Sequence, residues 1–174
     1  MQEPDVPPTG AFVVAFVVGV TPSKWARVWG ERMPRHPLTL LPAGDDATAL
    51  AALTDGSAHV ALVRLPVEDA HFSSIPLYIE QAVVVAPKGH AIEALDTVTL
   101  ADLGGETVLE KAWPTSVELV AANVGVAVMP QSVARALSRR DVVARPLTDA
   151  ATTQIALVWP VDATTELVEE FISI

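Results

Sequence analysis

The run Ala11–Val20, AFVVAFVVGV, constrains the fold of this chain more than any other feature: it is apolar, rich in β-branched and aromatic residues, and has no polar face. A strand of that kind must be covered on both sides, as a central strand of a parallel sheet is by its helices. The run is roughly half the length that spans a bilayer as a helix, so no membrane segment is expected. An export signal is not expected either, because residues 1–10 carry Glu3 and Asp5 but no Lys or Arg ahead of the run. Immediately after it, Thr21 reads as a helix cap with Pro22 at the first helical position. Trp25, Val28 and Trp29 then recur at helical spacing.

The same rhythm repeats. Leu38–Leu41 reads as a short strand, and Asp45 or Asp46 as the cap of a helix that carries Leu50 and Leu53 and closes at Gly56. His59–Leu65 is a further strand. Three strands with two intervening helices predict a doubly wound α/β sheet with right-handed crossovers. Another strand pattern runs from Ile75 to Val85, broken around 79–81, and stops at Pro87. Beyond a loop at 88–99, Leu100–Leu103 reads as a helical turn and Thr107–Leu109 as a short strand. Ser116–Ala122 then reads as a helix ending at Asn123-Val124-Gly125, followed by a strand at Val126–Met129 and a helix at Gln131–Leu137. Strands at Val142–Arg145 and Thr153–Trp159 lead into an amphipathic helix at Thr164–Phe171. The proline-rich opening, residues 1–11, reads as a flexible lead-in.

Composition excludes several classes of function. A net charge of −10 repels phosphate backbones, so the chain alone is not expected to bind nucleic acid. With no cysteine, zinc ribbons, disulfide frameworks and thiol catalysis are out. His36, His59, His71 and His90 have no metal-ligand spacing and read as surface or turn residues, so no metal is expected. No nucleophile elbow or local catalytic set is present, which points away from an enzyme and from any cofactor.

Four stretches, in order, resemble one family. LAALTDGSAHVALVRLP (50–66) is similar to the helix-turn-strand motif of the effector-binding domain of LysR-type transcriptional regulators; IPLYIEQAVVVAPKGHAI (75–92), VTLADLGGETVL (98–109) and VELVAANVGVAVMPQSVA (117–134) resemble its later segments. The last is the most specific, because a helix ending at Gly125, a strand and then Pro130 place a tight loop over the ligand cleft in that family. The resemblance runs from about Phe12 to Ile174. It implies a bilobal, type II periplasmic-binding-protein-like α/β fold of two doubly wound lobes, with the first lobe at 12–86 and 142–174 and the second at 87–141. The crossings would lie near 87–89 and 139–145. The family's DNA-binding helix-turn-helix is not found ahead of Phe12, its acidic position in the first motif is His59, and its His-Pro-Leu is His90-Ala91-Ile92. Only a few residues join Leu109 to Ser116, so the second lobe is expected to be shortened, with 106–116 distorted or interrupted.

Candidate site residues follow from both readings. The turn Gly19–Lys24 ends the first strand and opens a helix, so free N–H groups, the hydroxyls of Thr21 and Ser23 and the charge of Lys24 could hold an anion. The plain alternative is that Thr21 only caps and Lys24 is solvated. It is not a phosphate loop, because Trp25 stands where Ser or Thr would follow the lysine. Arg64, before Leu65-Pro66, offers a planar fork to a carboxylate, or else pairs with Asp45, Asp46 or Glu68. By the resemblance, Met129, Pro130 and Gln131 wall the opposite side. The function expected is a cytoplasmic ligand sensor that takes a small anionic metabolite between its lobes and controls transcription through a DNA-binding domain or partner. It would act as a homodimer packed through Trp25 and Trp29. A solute-binding protein of the same fold and a non-binding interaction module are the alternatives.

Overall fold

The computed structural model describes residues 10–110 and 113–174. Its elements run β1 (Phe12–Val17), α1 (Ser23–Arg32), β2 (Leu38–Ala43), α2 (Asp46–Thr54), β3 (Val60–Arg64), β4 (Phe72–Glu80) and β5 (Ala82–Pro87). They continue with β6 (Val108–Leu109), α3 (Trp113–Ala121), β7 (Val126–Pro130), α4 (Gln131–Ala136), β8 (Val142–Pro146), β9 (Thr153–Pro160) and α5 (Glu166–Ile172).

The chain divides into two units. The first holds the described residues up to Tyr78 together with Ile155–Ile174, and the second holds Ile79–Gln154. In the first, the strands are ordered β2-β1-β3-β9-β4. As its lack of a polar face requires, β1 lies inside this sheet, parallel to β2 on one side and β3 on the other, with Val14 beside Leu40 and Val60. β9 returns antiparallel to β3, Leu62 facing Leu157. α2 begins as expected: the Asp45 side chain accepts the Thr48 N–H at 2.7 Å, and hydrogen bonding by Thr48 holds its carboxyl below the usual carboxylate range.

α1 begins differently from the expected cap. Pro22 occupies the cap position with near-helical dihedrals (φ −80°, ψ 2°), and no side chain caps the helix. Thr21 therefore stands one residue too early to serve its first turn. The expected outward-facing tryptophan pair is also corrected. Trp29 is 1% exposed, stacks on Phe12 at 4.5 Å between ring centres and donates its indole N–H to the His36 carbonyl at 2.7 Å. Phe171 of α5 closes on both Phe12 and Trp29. Trp25 is half-buried against the same core. The amino end of β1 is thus filled by one aromatic cluster, to which His59 adds its ring, 5.0 Å from Phe12.

The second unit has a four-stranded sheet ordered β6-β7-β5-β8. β5 is antiparallel to β7 and β8, and β6 is parallel to β7. This pairing moves the expected lobe boundaries. Because β5 and β8 bond to each other, residues 79–86 and 142–154 belong with the second unit, and the chain crosses between Tyr78 and Ile79 and between Gln154 and Ile155. The expected strand Thr153–Trp159 does lie in the first sheet, as β9. Of the expected lead-in, residues 1–9 lie outside the described residues, whereas Ala11 is buried. The expected irregular join 106–116 falls partly on residues 111 and 112, which are also outside. On either side of them the backbone is regular: Val108 and Leu109 pair with Val126 and Ala127, and α3 starts at Trp113 rather than Ser116. The buried Ser116 hydroxyl donates to the Glu110 carbonyl at 2.6 Å.

Candidate functional site

In the first unit, the parallel strands β1, β2 and β3 end at Val17, Ala43 and Arg64, and the turns beyond them start α1 and α2. The strand register puts Val17 beside Ala43 and Phe16 beside Leu62, so 18–24, 44–46 and 64–66 gather at one edge of the sheet. That carboxyl edge is where α/β sheets place ligand-binding groups. β1 leaves it through a tight turn: Gly19 has φ +91°, a conformation a side chain would strain, and the Val20 N–H returns to the Val17 carbonyl at 3.2 Å.

The first intrahelical bond of α1 runs from the Ala26 N–H to the Pro22 carbonyl at 3.0 Å. The N–H groups of Ser23, Lys24 and Trp25 precede that bond and have no partner in the helix. Thr21, Ser23 and Lys24 are exposed, and their side chains bond to no other described residue. The structure therefore brings these three together at an uncapped, positive helix end. Two carboxylates share the edge, and each is occupied. Asp45 accepts from Thr48, and Asp46 accepts the Arg64 backbone N–H at 2.9 Å.

Arg64 departs from the open counter-charge expected of it. It is 6% exposed and bonded within the protein, and its backbone ties the end of β3 to the first turn of α2. Burying a guanidinium requires partners, so its first task here is positional. Leu65, next along, is half-buried against the core of the same unit.

Met129 and Pro130 are in the second unit, on the last residues of β7, facing Val83 and Ala82 of β5. Met129 is 2% exposed. With Ala82, Trp113 and Thr153 they bound a small cavity of about 70 Å³. Gln131 is exposed, and its N–H donates to the Gln81 carbonyl at 2.9 Å. Sequence reasoning missed Glu80 at this end of β5. Its carboxylate is 6% exposed; Oε1 accepts from the Ser132 hydroxyl at 2.5 Å and Oε2 from the Thr153 hydroxyl at 2.8 Å. The three residues are 52 and 73 positions apart in sequence, so no local motif announces them. The one available signal is a charged residue at the break between two strand patterns.

Among the described residues no cluster of His, Asp or Glu could hold a metal ion, and no helix is long and apolar enough to cross a membrane. The four histidines are dispersed: His71 bonds Asp69, His90 bonds Glu106, His59 accepts from the Val13 N–H, and His36 offers its carbonyl to Trp29.

The family model of the LysR substrate binding domain matches residues 8–110 and 111–174. The break between the two stretches falls within the short join from Leu109 to Ser116. The chain is 29% identical over 138 residues to a probable hydrogen peroxide-inducible genes activator of Mycobacterium leprae, covering 62% of this chain and 44% of that protein. A protein of the same description from Mycobacterium avium is 29% identical over 129 residues, 56% of this chain and 42% of its own length. The chain thus spans less than half the length of these curated relatives. Among solved structures, it is similar to the reduced OxyR regulatory domain from Pseudomonas aeruginosa (TM-score 0.71, 17% identity, 94% of this chain and 92% of the other). It is also similar to the BenM effector-binding domain with its effector benzoate (TM-score 0.73, 18% identity, 94% and 89%). At such identities the likeness shows the fold, the two-lobed α/β architecture of effector-binding domains. The curated relatives are described as gene activators and not as enzymes. With the family model matched along almost its whole length, this chain belongs to the LysR substrate-binding domain family.

Proposed function

We propose that this chain is the sensing part of a cytoplasmic LysR-type transcriptional regulator, that its effector is a small carboxylate, and that it works as a homodimer. The observation that carries the anionic reading is the start of α1. Three backbone N–H groups without helical partners, two exposed hydroxyls and one exposed ammonium share a single turn at the carboxyl edge of the first sheet. In a chain of net charge −10, a local positive site of this kind is what an anion needs. The neighbouring Asp45 and Asp46 are each engaged by an N–H and keep their negative charge, so Lys24 and the N–H groups of α1 have to outweigh them at the anion. Arg64 acts by holding the end of β3 to the start of α2, with Leu65 beside it. The likeness to a domain bound to benzoate makes aromatic and aliphatic carboxylates the first probes.

Titration calorimetry with benzoate and a panel of small organic acids tests this on the wild type, Ser23→Ala and Lys24→Ala. A charge-assisted hydrogen bond contributes roughly 1.5–3 kcal/mol, so Lys24→Ala is expected to weaken binding by about tenfold or more. Arg64→Ala is expected to lower the melting temperature as well as the affinity. Unchanged affinity in both α1 variants would move the site elsewhere. Failure of every acid to bind the wild type would favour the interaction-module alternative.

A further inference from the structure

We infer that the second unit carries a separate site for a phosphorylated small molecule, at the end of β5 remote from Met129 and Pro130. β5 and β8 pair antiparallel with Pro87 beside Val142, so the residues after β5 and before β8 emerge together. The Lys88 N–H donates to the Asp141 carbonyl at 3.0 Å and fixes the two turns against each other. Between them and the end of α3 lies an open cavity of about 610 Å³, bordered by Lys88, His90, Asn123, Arg140 and Asp141. Six residues of strand at about 3.3 Å each separate it from the cavity of Met129 and Pro130 at the start of β5.

Lys88, Arg139 and Arg140 equal Glu93, Glu106 and Asp141 in number around this cavity, but they differ in how they are engaged. Each carboxylate bonded to its neighbourhood already has a donor: both oxygens of Asp141 are held by Arg139, at 2.9 and 3.0 Å, Glu106 is bonded by His90 and Glu93 by the Gly89 N–H. Both His90 nitrogens are occupied, one by Glu106 and the other by the Ile92 N–H. Among the described residues Lys88 and Arg140 have no ion pair and no side-chain hydrogen bond. Of the last four carbonyls of α3, those of Glu118, Leu119 and Val120 receive backbone N–H groups from Ala122, Val124 and Asn123. Two unengaged cations, one of them a planar fork, match the oxygens of a phosphate dianion. The cavity is larger than a lone phosphate needs and falls in the size range of small-molecule sites, leaving room for an organic group.

The test is an amide NMR titration of the whole chain with inorganic phosphate and then pyrophosphate, with chloride at matched ionic strength as control. Saturable shifts confined to residues 88–90, 121–123 and 140–141 are expected, with 19–24 unmoved. Lys88→Gln and Arg140→Gln should each weaken binding by about tenfold, while the melting temperature without phosphate stays at the wild-type value. Shifts that chloride reproduces, shifts centred on 19–24, or variants that bind like the wild type would overturn the inference. Variants that melt several degrees lower without phosphate would also overturn it, since the two cations would then be structural.

Discussion

At the scale of single residues, His59 is the clearest case of a role fixed by distant contacts. It stands where the resembled family motif has an acidic residue, and its Nδ1 accepts the Val13 N–H at 2.9 Å while its ring lies on Phe12. Only a ring unprotonated at Nδ1 can accept that bond. Partial desolvation of the ring against Phe12, on a residue that stays exposed, pushes its pKa below the ordinary 6.5. The unfolded chain therefore takes up the proton first as pH falls. The stability that His59 contributes is complete above about pH 6.5 and is lost as pH falls through the depressed folded value. Thermal melts of the wild type should fall between pH 7.5 and 5, and His59→Asn, which keeps an acceptor but does not titrate, should show a smaller fall over that interval. An identical pH profile for the two proteins would count against this account. The sequence marks His59 only as a turn histidine because its partner lies 46 residues away. Trp29 shows the same boundary. Helical spacing correctly puts Trp25 and Trp29 on one face, but the depth of Trp29 is set by Phe12 and Phe171, which that spacing does not contain.

At the scale of elements, legibility follows whether the cause is local. α2 with its Asp45 cap and β7 are written in short windows of sequence and occur within a residue or two of expectation, while β1 lies in the expected run but stops at Val17, three residues before its end. The start of α1 was misread because Thr21-Pro22 fits two frames, and the backbone adopts the one with proline in the cap position. The division into units was misplaced because strand pairing, not strand location, decides it. The pattern from Ile75 to Val85 marks β5 as a strand, but its bonds to β7 and β8 join segments more than 40 residues apart. Gly125 is the sharpest constraint on an element junction. A Cβ there would sit 2.4 Å from the Thr107 carbonyl oxygen, the acceptor of the Val126 N–H, and 3.3 Å from Leu109. Gly125→Ala must push β6 away from β7. A destabilisation of about 1–3 kcal/mol is expected, the usual cost of overfilling a packed site. Urea unfolding would show it as a lower midpoint, whereas Ala in place of Gly30, an exposed position inside α1 with open space, should raise the midpoint slightly.

At the scale of the whole molecule, the absence of cysteine separates this chain from any thiol-based response, although its curated relatives are named for induction by hydrogen peroxide. Peroxide treatment of the chain followed by intact-mass analysis should yield methionine sulfoxide alone, with the half-buried Met33 oxidised before the 2%-exposed Met129. A modification reversed by a dithiol would contradict this. The two-unit α/β architecture was legible because each unit repeats short patterns. The partners of Glu80 were not, because a buried carboxylate collects its donors from wherever the fold brings them. The two crossings of the chain have a consequence for synthesis. β9 fills the place between β3 and β4 in the first sheet, yet all of it but Thr153 and Gln154 follows the second unit in sequence. On the ribosome, the second unit is complete while the first still presents β3 with an open edge and without the Phe171 side of its aromatic cluster. The unit that begins the chain is therefore the one that matures last, and a nascent chain stopped anywhere in the second unit exposes a sheet that cannot yet close.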